Sequence, residues 1–88
     1  MPLSPEQIAQ VAYRAGFRGD ALRQAVAIAL RESGGNPAAY NPELGANTPA
    51  GGGSRGLWQI YGTAHPEYNN SAMFDPQQNA NAAYAVYR

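Results

Sequence analysis

The chain has 88 residues, six acidic and six basic side chains, a formal charge of zero and no cysteine. A chain of this length forms at most one small domain, which buries only about 60 to 65% of its unfolded surface. Its balanced charge, with arginine as the sole basic type, excludes the footprint of a nucleic-acid binder, and the lack of cysteine excludes a disulfide scaffold and a thiolate metal site. No apolar run approaches about 18 residues, and Met1 to Phe17 has neither a basic start nor an apolar signal core. Neither a membrane span nor a signal peptide is expected, so action outside a cell would need another means of export.

Ser4-Pro5-Glu6-Gln7 reads as a helix start in which Ser4 caps, Pro5 takes the first turn and Gln7 closes a capping box. The first helix is predicted over Pro5 to Ala15, with Ile8, Val11, Ala12 and Ala15 facing inward and Gly16-Phe17 as a glycine cap with a trailing apolar contact. Asp20 is the expected N-cap of a second helix from about Ala21 to Ser33, stopped by Gly34, Gly35 and Pro37. Leu22, Ala25, Val26, Ala29, Leu30 and Ser33 form its buried stripe, and Arg23, Gln24 and Arg31 lie opposite.

Asn36 to Gly56, rich in proline and glycine, lacks periodicity and reads as a long loop, a kind of segment that is more often functional or mobile than merely connecting. Its glycine-rich insert, Thr48 to Gly53, is expected to be a mobile rim. Leu57-Trp58-Gln59-Ile60-Tyr61 is a short strand or a buried turn, with Trp58 in the core. After an irregular stretch with His65-Pro66-Glu67-Tyr68, Asp75-Pro76-Gln77-Gln78 repeats the capping pattern and opens a third helix. Ala80, Ala83, Tyr84 and Tyr87 share one of its faces. Apolar and tyrosyl positions up to the last residue create the expectation of a packing partner, either a further segment of chain or another subunit.

Glu32 breaks the pattern. At about 100° per residue it falls beside Ala25 and Ile28, on the shoulder of the apolar stripe, and in the last turn of the helix. Partial desolvation and the negative end of the helix dipole both disfavour its anion, so a raised pKa is expected, as suits a general acid near neutral pH. The structural alternative is a solvated helix-end glutamate paired with Arg31 or Arg55. His65, the single histidine, stands before a proline with no cysteine or second histidine near it. It is expected to be a loop side chain, with no metal site and no cofactor.

Three motifs in order carry a resemblance: Glu32-Ser33 with Asn36-Pro37; Ser54-Arg55-Gly56-Leu57-Trp58-Gln59-Ile60; and Phe74-Asp75-Pro76 with Asn79 and an alanine and tyrosine helix. Over roughly Ala21 to Arg88 the chain resembles the lysozyme-like soluble lytic transglycosylase domain, most of all the versions in bacteriophage lysins, tail proteins and actinobacterial wall enzymes. The resemblance implies a mainly α-helical domain with long loops, at most a very short β element, and a groove for peptidoglycan glycan strands at the bacterial cell wall. It places the catalytic acid at Glu32, acting on the bond between N-acetylmuramic acid and N-acetylglucosamine. It puts Ser33, Ser54, Gln59 and Tyr84 at the substrate, with Ser33 orienting the acid. Ser54 as a loop hydroxyl bonding its own backbone, and Tyr84 and Tyr87 as mere filling, are the competing readings. The resemblance also implies a further helical segment beyond the third helix that closes the groove, expected either from more of a larger protein or from elsewhere.

Glycosidases usually need two carboxylates, with substrate-assisted enzymes an exception. Asp20 and Asp75 are accounted for as caps and Glu6 by its first-turn position, which leaves Glu43 and Glu67 as second acids. A single-acid mechanism, assisted by the substrate's acetamido group, fits best. The alternatives are a non-catalytic peptidoglycan-binding or phage tail assembly module, and a small helical interaction domain.

Overall fold

The structure is a computed structural model that describes residues 2–42 and 52–88. Three helices, α1 (Pro5–Ala15), α2 (Gly19–Ser33) and α3 (Pro76–Tyr87), surround a core, and a small sheet lies between α2 and α3 in the chain. The sheet consists of β1 (Tyr40–Asn41), β2 (Ser54–Arg55) and β3 (Ile60–Tyr61), antiparallel in the order β1-β2-β3. Its register pairs Tyr40 with Arg55 and Arg55 with Ile60. Two short 3-10 turns, Pro66–Tyr68 and Ser71–Phe74, lead into α3. The architecture is thus mainly helical, as expected, and among the described residues the β element is three strands of two residues each.

The caps explain where α1 and α3 begin. Ser4 Oγ accepts from the Gln7 amide at 3.1 Å and Gln7 Oε1 accepts from the Ser4 amide at 2.9 Å, so the capping box is closed. Replacing Ser4 with Ala is expected to cost about 1 kcal/mol, read as a lowered melting temperature. Asp75 accepts from the Gln78 amide at 2.9 Å and starts α3.

The start of α2 differs from expectation. Arg18, not Asp20, is the N-cap, and no side chain caps the helix. Arg18 turns its guanidinium back to the carbonyls of Tyr13 (2.6 Å) and Phe17 (2.7 Å) and over the Tyr13 ring at 3.6 Å, thereby serving the end of α1. Asp20 sits too late in the chain to cap and pairs with Arg23 on the surface.

Alanine dominates the helix contacts. Ala12, Ala25, Ala29, Ala80, Ala82 and Ala83 are buried, which lets α1 pack closely on both α2 and α3, while Ile8, Phe17, Leu57, Trp58, Ile60 and Met73 fill the remaining space. The α2 stripe is narrower than its pattern suggests. Ala25 and Ala29 are covered, Leu22, Val26 and Ser33 are half-buried, and Leu30 in the last turn is exposed.

The segment read as one continuous loop from Asn36 to Gly56 contains β1 and β2. Glu43 and Thr48 to Gly51 of the glycine-rich insert lie outside the described residues. The run 57–61 resolves into a buried turn over Gly56 to Gln59 followed by β3.

Candidate functional site

Glu32 occupies the last turn of α2, and the helix ends directly after it in a tightly built stop. Gly34 is left-handed (φ 62°, ψ 20°) and returns its amide to the Leu30 carbonyl. Gly35 is buried and its carbonyl accepts from the Leu3 amide at 2.8 Å. Ser33 Oγ donates to the Ala29 carbonyl at 2.8 Å and accepts from the Gly35 amide at 3.2 Å, so the hydroxyl binds the helix end together. Asn36 adds an Asx turn through the Ala38 amide at 3.0 Å. These bonds set where the chain leaves the helix and so fix the backbone under Glu32.

The Glu32 side chain is 43% exposed, and it pairs with Arg31, whose Nε lies 3.8 Å from the carboxylate. The shoulder position therefore brings little burial, and the ion pair is long and open to solvent. The expected neighbours are present. Ala25 is buried and Ile28 half-buried on the same face of α2.

The motif turn connects this helix to the rest of the molecule. Trp58 is 1% exposed, and its indole Nε1 donates to the Ala25 carbonyl of α2 at 2.8 Å. Its backbone amide donates to Asn79 Oδ1 at 2.8 Å, and Asn79 Nδ2 donates to the Arg55 carbonyl at 3.0 Å. Asn79 is fully buried, and it replaces backbone pairing that the turn cannot supply for itself. The glutamate helix, the turn and α3 are thus one hydrogen-bonded unit.

Gln59 lies at the exit of the turn with φ 51°, unusual for a residue other than glycine. Its amide Nε2 donates to the carbonyls of Ala39 (3.0 Å) and Gly56 (2.8 Å), and Oε1 accepts from Asn41 Nδ2 at 2.5 Å. The side chain knits the turn to β1. Ser54 is half-buried in β2, opposite Asn41 and Tyr61.

The two tyrosines of α3 separate. Tyr84 lies at the junction of α1 and α3, its ring against Gly16, edge-on to Phe17 at 5.2 Å between centroids, and under the Arg88 guanidinium at 5.7 Å. Tyr87 is the one linked to Glu32. Burial pushes its phenol above the ordinary value of 10.0, the Glu32 charge pushes it further, and Arg31 opposes both. Its ring borders a cleft of about 280 Å³ with Phe17, Ala21, Gln24, Ala25 and Ile28. The helical pattern put Tyr84 and Tyr87 on one face, and only the packing at Gly16 tells them apart.

The raised Tyr87 phenol has a measurable consequence. Above pH 10 the unfolded chain has released a proton that the folded chain still holds, so stability falls as pH rises from the ordinary phenol value through the raised one. Below that window the contribution is fully present. Thermal melts of Tyr87→Phe should therefore decline less between neutral pH and pH 11 or so than those of the unmodified protein; equal declines would exclude the linkage.

Of the other acids, Glu6 lies in the first turn of α1. Glu67, in the first 3-10 turn, borders a different cleft of about 270 Å³ with Tyr68, Asn70, Met73 and Gln78, to which α2 contributes nothing. Among the described residues no group of three His, Cys, Asp or Glu side chains converges in a way that holds a metal ion.

No curated protein and no solved structure matches the chain. The family model of the lysozyme-like domain matches residues 9–88, from within α1 through all of α3. Membership implies glycosidase or lytic-transglycosylase chemistry, with peptidoglycan as the substrate class. Family match, helical architecture and small open sheet agree, and the chain belongs to the lysozyme-like SLT domain family.

Proposed function

We propose that the chain is one domain that cleaves the β-1,4 bond between N-acetylmuramic acid and N-acetylglucosamine in peptidoglycan, with Glu32 as general acid and then base. The family match over residues 9–88 carries this reading. The last-turn position of Glu32 supports it, because the helix end is fixed there and the side chain is open enough to reach a substrate oxygen. Glu32 gives its proton to the glycosidic oxygen as the bond from C1 breaks, and the substrate's acetamido oxygen bonds to C1 in its place. The carboxylate then takes the proton of the muramyl 6-hydroxyl, whose oxygen displaces the acetamido group and closes a 1,6-anhydro ring. With water as the acceptor, the same glutamate yields a reducing end.

The single-acid form of the reaction draws support from the remaining described carboxylates. Asp20 pairs with Arg23, Asp75 caps α3, and Glu67 borders a cleft without α2 residues. Ser54 and Tyr84 remain proposed substrate contacts. Ser33 and Gln59 act in this reading by holding the helix end and the turn that frame the groove. The site of action is the bacterial cell wall, and bacteriophage lysins, tail proteins and actinobacterial wall enzymes are the proposed subtypes.

Mass spectrometry of products from purified peptidoglycan tests the reading. Muropeptides one water lighter than hydrolytic products establish a lytic transglycosylase, and reducing-end products establish a muramidase. Retained binding to the wall without any product would overturn the enzymatic reading in favour of a wall-binding or tail assembly module.

A further inference from the structure

The cleft of about 270 Å³ that Glu67 borders faces away from the glutamate helix. Its α3 wall is Gln78, Asn81 and Ala82, one helical face at the i, i+3, i+4 spacing. At about 100° per residue, Tyr87 lies roughly 120° to 180° around the helix from all three. The α2 residues that border Tyr87 therefore stand on the other side of α3. The floor of the cleft is apolar, made by Ala72 and the buried Met73 and Ala82, and Tyr68 is half-buried in its wall. The rim is polar and braced. Asn70 accepts from the Ala72 amide at 3.0 Å and donates to the Glu67 carbonyl at 3.1 Å, which ties this stretch into one wall. Asn81 Oδ1 accepts from Gln77 Nε2 at 3.0 Å, and the same Nε2 is held on the Val11 carbonyl at 3.0 Å. The Asn81 amide is thus oriented, with its Nδ2 left to donate. Among the described residues no basic side chain pairs with the Glu67 carboxylate.

We propose that this cleft is a second saccharide site, which takes one N-acetylated aminosugar ring of a glycan strand away from the bond that is cleaved. Such a ring presents hydroxyls, an acetamido group and an apolar C–H face, and each has a counterpart here. The Glu67 carboxylate accepts from hydroxyls, Asn81 Nδ2 donates to a sugar or acetamido oxygen, and the Gln78 amide does either. Tyr68 and the Ala72, Met73 and Ala82 floor cover the C–H face and the acetamido methyl. Other ligand classes fit less well. Glu67 repels an anion, and among the described residues it has no second carboxylate with which to hold a metal ion. The volume falls just short of the range of about 300 to 1,000 Å³ for clefts that hold drug-sized ligands, which suits one ring and not several. A wall repeats the same sugars along every strand, so a ring gripped here raises the local concentration of glycan at the catalytic groove. The inference does not depend on which residue is the acid.

The test is an NMR titration of nitrogen-15-labelled protein with triacetylchitotriose. The side-chain amides of Gln78 and Asn81 and the backbone amides of residues 67–73 should shift together along one saturation curve. Glu67→Ala should weaken that curve about tenfold or more, because hydrogen bonds to a carboxylate are lost. Its melting temperature should stay as it was, since Glu67 is exposed and has no ion pair among the described residues. Shifts on α2, where they occur, should keep their midpoint in the variant. Cleft amides that stay still at about 10 mM sugar would overturn the proposal. A cleft curve that Glu67→Ala leaves unchanged would overturn it as well. Shifts produced by 1,5-diaminopentane and not by the sugar would overturn it in favour of a site for an amine. The titration needs no turnover, so a failure to cleave peptidoglycan would count against the glycosidase reading and not against this site.

Discussion

Glu32→Gln is expected to remove peptidoglycan cleavage, by about 10²- to 10⁴-fold as for loss of a general acid, while leaving the melting temperature unchanged or slightly raised. The two halves of this expectation come from different physics. Gln keeps the size and much of the hydrogen-bonding capacity of the side chain but has no proton to give at neutral pH. Stability has little to lose, because the ion pair of Glu32 with Arg31 is 3.8 Å long and its members are 43% and 75% exposed, which puts its worth at about 0 to 1 kcal/mol. Against that stands the gain from removing an anion at a helix C-terminus, about 0.3 to 1 kcal/mol. Activity assays on purified peptidoglycan and thermal melts of the same preparation separate the outcomes. Loss of both activity and fold would make Glu32 a structural residue, and retained activity would move the acid elsewhere.

How much was legible in the sequence depends on the range of the interactions. Ser4 with Gln7, and Asp75 with Gln78, are contacts three residues apart, and they placed α1 and α3 correctly. Asp20 misled because the helix already begins at Gly19, so its side chain lies inside the first turn, where it pairs with Arg23. A very short β element was expected and β3 falls within the run 57–61, but β1 and β2 were not located, since strands of two residues have no period to detect. The same limit applies to the site. The place of Glu32 on the shoulder of α2 is a matter of helical angle and was visible. The work of Gln59 and Asn79 was not, because their partners Ala39 and Trp58 lie 20 and 21 residues away. Tyr84 and Tyr87 share a face in sequence, and only the fold shows that Tyr84 takes the place beside Gly16 while Tyr87 comes under the charge of the glutamate.

Gly56→Ala is expected to be the most destabilising small substitution in the motif turn, lowering the melting temperature by about 15 °C or more, whereas Gly34→Ala should cost about 5 °C. Both glycines have positive φ, 81° and 62°, so the backbone cost of placing alanine there, about 1 to 2 kcal/mol, is common to both. The surroundings decide the difference. A Cβ on Gly34 would meet nothing within 4 Å, while one on Gly56 would overlap the Met73 carbonyl oxygen and the Asn79 side-chain amide. Neither can step aside cheaply. Met73 O is backbone, and Asn79 is fully buried with its amide committed to the Trp58 amide and the Arg55 carbonyl. Displacing Asn79 would take from the buried Trp58 amide its bond to Asn79 Oδ1, at about 1 to 3 kcal/mol, in addition to the overpacking. For a domain whose whole stability is about 5 to 10 kcal/mol, that consumes much of the margin. The same displacement would loosen Trp58, and with it the bond to Ala25 that holds α2 against the turn. A Gly56→Ala protein that melts within a few degrees of Gly34→Ala would show that the close approach of α3 to this turn is not what requires glycine.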